Sequence, residues 1–385
     1  MREVPTTGSL RRDDAAYGRP RGAVARRRPR RAAAALGTYL LLLGLAACVL
    51  APGAPAAAPA YHVYFGDLHG HTQFSDGKGT PEQAYAQAAT GGADFLALTD
   101  HREGLTAAEW ERTRAAAAAA TTAGFAGLAA FEVKPPIGHL NVYDSAELPP
   151  VGLDGAALYD WIAARGAAAQ WNHPLRNSED FAGFGYRTPA RDAAICLLEV
   201  VNHGSVPLEP DYEASYVRAL DKGWHVMPSA NGDVHDATWI TGNDERTALL
   251  AGALTPAGLY EAMRARRGYA TRFAGLVVDF RLGGAVMGSE LRSRKGRLTV
   301  AVHVRERDAA AGLSLSRLDV VTNGGRVVAT SRKSGTSLDW TARIPVTQGR
   351  YYYLRVWVKY LGALQIETAW TAPVWVTAPS GAARR

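Results

Sequence analysis

Residues 62–72 spell HVYFGDLHGHT, a short apolar run that ends in two histidines one residue apart. The run over 62–68 predicts a β-strand, because it is short, apolar and followed by turn residues. Side chains two positions apart in a strand point to the same side, so His69 and His71 can hold one metal ion between them. A single His-x-His pair is weak evidence, and it gains weight only if the rest of the chain repeats the pattern.

The same pattern, an apolar run that ends in metal-type ligands, recurs four times further along the chain. Strands are predicted over 94–99, 126–133, 167–171 and 225–230, and each runs into such residues. The candidate ligands from all five strand ends and their loops are His69, His71, Asp76, His101, Glu132, His139, His173, Asp233 and His235. The carboxyl ends of parallel strands share one face, where sites assemble. The repetition therefore predicts one shared site.

Helical patterns lie between these strands and indicate the fold class. Helices are predicted over 81–90, 107–122, 155–165, 211–222 and 256–267, with a further strand over 194–201. Alternation of strands and helices predicts an α/β domain with a mainly parallel sheet or barrel over residues 61–275.

After residue 275 the pattern changes to short alternating strands with glycine-containing turns and no helix. This pattern predicts a C-terminal antiparallel β-sandwich over 276–378. The tail over 379–385 is predicted to be disordered.

Residues 1–60 predict an export signal followed by a small-residue linker. A basic cluster precedes an apolar run over 32–50 and an alanine- and proline-rich stretch over 51–60. Two alternatives stay open: a retained transmembrane anchor, or a lipoprotein in which Cys48 of Leu-Ala-Ala-Cys is lipidated. In each case we expect a secreted or extracytoplasmic protein that meets a membrane only through this N-terminal segment.

Charge and cysteine content exclude other classes of protein. Residues 1–31 hold ten arginines and three acidic residues, so they carry the whole formal net charge of +7. The neutral remainder does not predict a nucleic-acid partner. Cys48 and Cys196 are the only cysteines, and signal cleavage would leave Cys196 alone. No intrachain disulfide is then possible, and Cys196, within an apolar run, is predicted to be a buried small hydrophobe.

The mixture of ligands indicates the kind of metal site. Imidazoles and carboxylates without thiolates suit Zn²⁺, Mn²⁺ or Fe²⁺ bound for catalysis. Nine ligands exceed what one ion needs, so two or three divalent ions are expected, with Glu132 as the bridging carboxylate. Such ions lie about 3.5–4 Å apart and hold a hydroxide between them.

Six short motifs now make a family resemblance specific. They are Asp-Leu-His-Gly-His-Thr at 67–72, Ser-Asp-Gly at 75–77, Leu-Thr-Asp-His at 98–101, Gly-His-Leu at 138–140, Asn-His-Pro at 172–174 and Asp-Val-His at 233–235. Together with Glu132 they resemble the PHP (polymerase and histidinol phosphatase) superfamily over about residues 62–330. Residues 245–247 and 265–271, with the export signal, resemble its CehA/McbA branch.

This resemblance implies a distorted (β/α)₇ barrel with a trinuclear metal site, and usually phosphoester hydrolysis. One branch member hydrolyses an aryl carbamate ester, so carbamate, ester or amide hydrolysis is the alternative. The implied ligand sets are His69, His71, Glu132 and Asp233 for one ion, Glu132, His139 and His173 for a second, and Asp76, His101 and His235 for a third. Asp76 stands where some members have histidine. His203 either supports a ligand or faces the substrate, or competes with His139 or His173 as a ligand.

The function predicted from these residues is an exported metal-dependent hydrolase whose nucleophile is a metal-bridging hydroxide. The predicted catalytic residues are Glu132, Asp233, His235 and Arg246. Asp100 is a candidate for orienting imidazoles, and Arg176 and Arg246 are candidate phosphate clamps. The expected partner is a small, phosphorylated molecule. A hypothesis of another class is a catalytically inactive cell-surface protein that binds through its C-terminal sandwich. The sequence does not predict the oligomeric state.

Overall fold

The strands that carry the candidate ligands lie side by side in one large sheet of a mixed α/β fold. The computed structural model describes residues 61–176, 180–202, 212–307, 313–360 and 364–379. The predicted export signal, His203 and residues 380–385 lie outside the described residues. Among the described residues, every helix is too short or too polar to span a membrane.

The first part of the chain alternates strands and helices. Its strands are β1 His62–Asp67, β2 Phe95–Leu98, β3 Ala126–Val133, β4 Leu140–Tyr143, β5 Ala168–Trp171, β6 Ile195–Asn202, β7 Met227–Asn231, β8 Arg246–Ala251 and β9 Gly268–Thr271. Its helices are α1 Pro81–Thr90, α2 Ala107–Ala120, α3 Gly155–Arg165, α4 Phe181–Phe184, α5 Pro189–Ala194, α6 Glu213–Asp221 and α7 Pro256–Arg264. All five predicted helices are confirmed, whereas β4, β8, β9, α4 and α5 were not predicted.

Local sequence explains where α1 begins. The Thr80 hydroxyl accepts a hydrogen bond from the backbone N–H of Gln83, and the Gln83 side chain accepts one from the N–H of Thr80. This reciprocal capping, with Pro81 at the first helical position, satisfies amide groups that a helix start leaves without partners. Thr106 and Glu109 cap α2 in the same way.

The sheet is less parallel than predicted. Strand pairs β1–β2, β2–β3, β5–β6 and β6–β7 are parallel, but β3–β4, β4–β5, β1–β8 and β8–β9 are antiparallel. Only residues 134–139 connect β3 to β4. A parallel crossover needs about a dozen residues or more, so this short connection forces the chain to return antiparallel.

The sheet curls so that β7 approaches β8. The Thr247 hydroxyl on β8 lies 3.0 Å from both the backbone N and the O of Ala230 on β7, and 2.9 Å from Oδ1 of Asn231. On the other side of β8, Gly66 of β1 needs to be glycine, because a Cβ there would lie 2.2 Å from the carbonyl oxygen of Phe95. These contacts bring the ends of β1, β2, β7 and β8 together.

The C-terminal strands are β10 Leu276–Leu282, β11 Ala285–Val286, β12 Glu290–Arg292, β13 Arg297–Glu306, β14 Ser314–Thr322, β15 Arg326–Ser331, β16 Ser337–Pro345, β17 Arg350–Tyr360, β18 Leu364–Thr371 and β19 Val374–Thr377. Four of them form a separate antiparallel sheet in the order β11–β10–β13–β16. The others extend the large sheet, because β18 pairs with β9. No α-helix follows residue 275 among the described residues, as predicted.

One hydrophobic core joins both parts of the chain. It contains Leu249 and Tyr269 from the first part together with Val278, Leu318 and Leu354 from the second. The β9–β18 pairing also crosses the predicted domain boundary near residue 275, and that boundary stays a prediction. Cys196 is buried, as expected, and burial raises the pKa of its thiol.

Candidate metal centre

The nine candidate ligands converge at one end of the large sheet. They follow or end the strands β1, β2, β3, β5 and β7, apart from His139, which directly precedes β4. Two isolated bridges tie these ends to one another: Gly70 pairs with Val234, and His101 pairs with Glu132. The predicted convergence of distant residues is therefore present, and the strand order brings it about.

Glu132 lies at the centre of the cluster. It is buried, and imidazole nitrogens from five histidines surround its carboxylate. The distances to its oxygens are 2.7 Å from His101 Nδ1, 3.2 Å from His139 Nδ1, 3.4 Å from His69 Nε2, 3.4 Å from His173 Nε2 and 3.8 Å from His71 Nε2. This position is the one expected of a carboxylate shared between metal ions.

Asp233 closes the cluster from the β7 side. Its Oδ1 lies 3.2 Å from His69 Nε2 and 3.1 Å from His71 Nε2, and its Oδ2 accepts a 2.6 Å hydrogen bond from Arg176. Asp233 and His173 both have positive φ, of 49° and 30°. Such backbone conformations cost about 1–3 kcal/mol in residues other than glycine and are concentrated at functional sites.

Asp76, His101 and His235 form the open side of the cluster. Asp76 Oδ2 lies 3.3 Å from His101 Nε2, and its Oδ1 lies 3.2 Å from His235 Nε2. The side chain of Asp76 is 56 % exposed and that of His235 is 38 % exposed, whereas Glu132 and His69 are fully enclosed. A small molecule would therefore reach the cluster from this side.

The ligand atoms fall into four overlapping groups, each with all its atoms within 4.8 Å of one another. The groups are His69–His71–Glu132, His69–His173–Asp233, Glu132–His139–His173 and His71–Asp76–His101–His235. They resemble the three expected sets, except that Asp233 groups with His69 and His173, and His71 also joins the outer set. The number and identity of the ions stay predictions.

The donor atoms fit divalent cations. Among the described residues, the buried nitrogens His69 Nε2, His101 Nδ1 and His139 Nδ1 have no partner with hydrogen-bond geometry. Buried polar atoms are nearly always satisfied, and a cation between these nitrogens and Glu132 would satisfy all three. Burial lowers the pKa of His71, which favours the neutral imidazole that a metal binds.

The charges of the two central carboxylates depend on these imidazoles. Burial alone would raise the pKa of Glu132 and of Asp233. The neighbouring histidines, His69 first, outweigh burial and hold the pKa of both carboxyls well below the ordinary range. Both groups are therefore carboxylates at neutral pH, the form that binds cations.

Glu199 is a buried acid in the middle of β6 that sequence reasoning did not single out. Its two oxygens lie 2.7–3.2 Å from His69 Nδ1, the backbone N of His173, and the side-chain amides of Asn202 and Asn231. A signal was present in the sequence, because a glutamate inside the apolar run ICLLEVVN must find partners when the strand is buried.

Asp67, at the end of β1, links the two strands that carry most of the cluster. Its Oδ1 accepts from the backbone N of His69, and its Oδ2 accepts from the backbone N of Gly232, both at 2.9 Å. Burial raises the pKa of this carboxyl to about 6.

The structure corrects the role expected of Asp100. Its carboxylate accepts hydrogen bonds from the backbone N and the hydroxyl of Thr72 and from the hydroxyl of Ser75, each at 2.7 Å. It therefore holds the turn after His71, rather than an imidazole.

The predicted role of Arg246 as a phosphate clamp is also corrected. The guanidinium is buried and donates to the backbone carbonyls of Ile240, Asn243 and Glu245, which pins the loop before β8. Donors used in this way are not presented to a substrate. Arg176 is different, because its side chain is 35 % exposed and contacts Asp233 directly.

Comparisons with known proteins show only distant similarity. No protein-family model matches the chain. A Chlamydia pneumoniae protein described as uncharacterized is 29% identical over 158 residues, which cover 37% of this chain and 24% of that protein. The chain thus matches about a quarter of the length of this relative.

Two solved structures are similar in chain path. One is a Bacteroides vulgatus two-domain protein containing a predicted PHP-like metal-dependent phosphoesterase, with 20% identity, a TM-score of 0.48, and coverage of 82% of this chain and 96% of that one. The other is an amidohydrolase from Chromobacterium violaceum, with 17% identity, a TM-score of 0.34, and coverage of 44% and 87%. Neither likeness is strong enough to assign a family or an activity.

Proposed function

We propose that this chain is a metal-dependent hydrolase of the PHP type that cleaves a phosphoester in a small molecule. The observation that carries the proposal is the arrangement around Glu132: a buried carboxylate among five imidazoles, with one side open to solvent at Asp76 and His235. A catalytic metal centre requires buried ligand atoms that have no hydrogen-bond partner, and an opening through which a substrate can enter.

The residues that would hold the ions are the nine already described, with Glu132 shared between sets. When bound, divalent cations there would supply Lewis-acid chemistry, lowering the pKa of a water and stabilising charge on the phosphoryl oxygens. The protein's own part is to hold Glu132 and Asp233 ionised, to keep the inner imidazoles dry, and to leave the Asp76 side accessible.

Arg176 favours a phosphoester over a neutral ester. One of its Nη atoms donates to Asp233, and its side chain is 35 % exposed beside the cluster. A guanidinium donates to two phosphoryl oxygens at once more readily than to a neutral ester. Lys134, directly after β3, adds a second exposed cation at this end of the sheet.

We further propose that the chain is exported through residues 1–60, and that a distorted (β/α)₇ barrel and a sandwich are the best description of its two parts. The basic cluster, apolar run and alanine-rich stretch support export. The parallel β1–β2–β3 and β5–β6–β7 segments, and the separate four-stranded sheet, support the two-part description. Assignment to the CehA/McbA branch rests on the motifs alone.

The test is a substrate panel on protein loaded with Zn²⁺ or Mn²⁺. We expect hydrolysis of an aryl phosphate, its loss in Glu132→Ala, and its retention in Glu147→Ala, which removes an exposed acid. Hydrolysis of aryl carbamates or carboxylic esters without phosphatase activity would overturn the phosphoester assignment in favour of the alternative. Less than one equivalent of bound metal and no turnover would instead favour an inactive binding protein.

A further inference from the structure

Glu199 is a buried carboxylate whose contacts include one candidate ligand ring and the backbone of another. Its Oε1 lies 3.2 Å from His69 Nδ1 and 2.8 Å from the side-chain amide nitrogen of Asn231. Its Oε2 accepts from the backbone N of His173 at 2.8 Å and from the Asn202 amide at 2.7 Å. Glu199 is therefore joined to the strand ends that deliver both histidines.

Two of these partners can only donate. The backbone N–H of His173 has no lone pair to offer. The orientation of Asn231 is fixed, because its Oδ1 accepts from the backbone N of Leu68 at 2.9 Å, which leaves the NH₂ group facing Glu199. Each oxygen of Glu199 thus faces one obligatory donor, so Glu199 acts as an acceptor on both sides.

As a carboxylate, Glu199 can only accept, so the His69 ring donates its Nδ1–H to it. In the neutral ring the lone pair then lies on Nε2. This nitrogen is 3.2 Å from Asp233 Oδ1 and 3.4 Å from Glu132 Oε1, and it has no partner with hydrogen-bond geometry. The His69 ring is fully buried, so water cannot replace Glu199 as the partner of Nδ1.

We propose that Glu199 is a positioning residue that fixes His69 as the Nδ1–H tautomer and so presents Nε2 to the metal centre. The inference rests on the proposed function, because it assumes that His69 binds metal. Carboxylates that accept from the second nitrogen of a ligating histidine orient the ring and raise its basicity. The same carboxylate accepts from the backbone N–H of His173, and so it also holds the strained backbone after β5.

The direct test is the tautomer in the wild-type protein. The chain has ten histidines, and ¹⁵N-labelled imidazoles can be followed by long-range ¹H–¹⁵N correlation in the Zn²⁺-loaded protein, with His69→Gln assigning the His69 signals. We expect a proton on Nδ1 and metal-shifted Nε2. A proton on Nε2 of His69 would overturn the proposal, whether or not any variant folds.

Glu199→Gln gives a second readout. Either orientation of the new amide sets an NH₂ group against one of the obligatory donors, so we expect Zn²⁺ affinity, titrated against a chelator, to fall about 10- to 100-fold. Asp192→Asn is the matched control, because Asp192 also accepts from an imidazole Nδ1 and a backbone N–H, those of His225, but outside the cluster. Zn²⁺ affinity should be unchanged in this control.

The outcomes separate this role from a structural one and from the function itself. Equal Zn²⁺ affinity in Glu199→Gln and wild type, or an equal loss in Asp192→Asn, would overturn the positioning role. If wild type binds Zn²⁺ through Nε2 and Glu199→Gln binds it weakly, the role holds even when no phosphoester is cleaved. That last result would count against the proposed function alone.

Discussion

Glu132 shows why a divalent cation is expected to stabilise the folded chain. A buried carboxylate needs a compensating positive charge. In the folded chain the neighbouring imidazoles, His69 first, hold the pKa of Glu132 low, so protons on buried rings supply a charge that a divalent cation could supply instead. The folded chain therefore gains from any divalent cation placed among these groups, and this gain should be measurable as stability.

Metal loading is expected to stabilise the fold. At a Zn²⁺ concentration of about 100 times the dissociation constant, the free energy of unfolding should rise by about 2.7 kcal/mol per site. Thermal denaturation of chelator-treated and Zn²⁺-loaded protein measures the change. Glu132→Ala should show little or no shift, and an equal shift in this variant would place the binding site elsewhere.

Arg176→Ala should weaken the use of an anionic substrate. A hydrogen bond to a charged group contributes about 1.5–3 kcal/mol, so kcat/KM for an aryl phosphate should fall about 10- to 100-fold. An uncharged aryl ester, if it is cleaved at all, should be affected less. Arg187→Ala is the control, because Arg187 pairs with Asp192 away from the cluster. Equal losses on both substrates would argue against a phosphate contact.

Glu245, next to the start of β8, should make stability depend on pH. Burial raises its pKa from 4.5 to about 7, although Arg272 acts in the opposite direction. Between these pH values the folded chain keeps a proton that the unfolded chain has released, so the stability due to this group falls as pH rises through this interval. Above pH 7 the loss amounts to at most about 3 kcal/mol.

Glu245→Gln should remove this dependence. Relative to wild type, the variant should gain stability between pH 5 and pH 8, as measured by urea unfolding in the presence of chelator. The exposed substitution Glu147→Gln should follow the wild-type curve. Parallel curves for wild type and Glu245→Gln would show that the carboxyl of Glu245 does not titrate in this range.

At the scale of elements, the sequence predicted those whose signals are local. The capping residue Thr80 before α1 and the apolar runs of β1, β3 and β6 are visible in a single window of residues. Strand β4 has the sequence LNVY, in which an asparagine interrupts the apolar residues, and it follows β3 after only six residues, so no separate apolar run revealed it. The antiparallel pairing of β8 with β1 joins residues that are far apart in the chain, which no local pattern encodes.

The same limit explains which site residues were found. Histidines and acids at strand ends stand out because those types are uncommon beside apolar runs. The roles of Glu199, Asp100 and Arg246 depend on which backbone groups face them, and only the folded chain brings these groups into contact.

Thr247 offers a test of how the strands are joined. Its hydroxyl connects β8 to the end of β7, and the candidate ligand Asp233 follows two residues after that strand. Thr247→Val keeps the shape but removes the bonds to Ala230 and Asn231, and should cost about 1–3 kcal/mol of stability. It should also weaken Zn²⁺ binding, since Asn231 loses one of its contacts. Urea unfolding measures the first effect, with the exposed Thr299→Val as control. Equal stability of the two variants would contradict this role of Thr247.

For the molecule as a whole, the sequence predicted two domains, and the structure shows how closely its two parts are joined. Strand β18 supplies the partner of β9, and Tyr269 packs in the same core as Val278 and Leu354. A change in composition at residue 275 is visible in the sequence, whereas a sheet that continues across that point is not.

We expect the two parts to unfold together. Calorimetry of a chain over residues 61–379 should give one cooperative transition, because separating the parts would expose the edge of β9 and a shared apolar core. A chain that ends at residue 275 should be insoluble or largely unfolded. Two resolved transitions, or a stable and metal-binding short chain, would show that the parts fold independently.

The β9–β18 pairing also limits how this chain can change, in evolution or by engineering. Loop residues at the cluster end that are not among the nine candidate ligands can be exchanged to accept new substrates, because the strands that carry these loops keep their partners. The part after residue 275 cannot be replaced independently, since any replacement must bring a strand of matching length and register to the same edge.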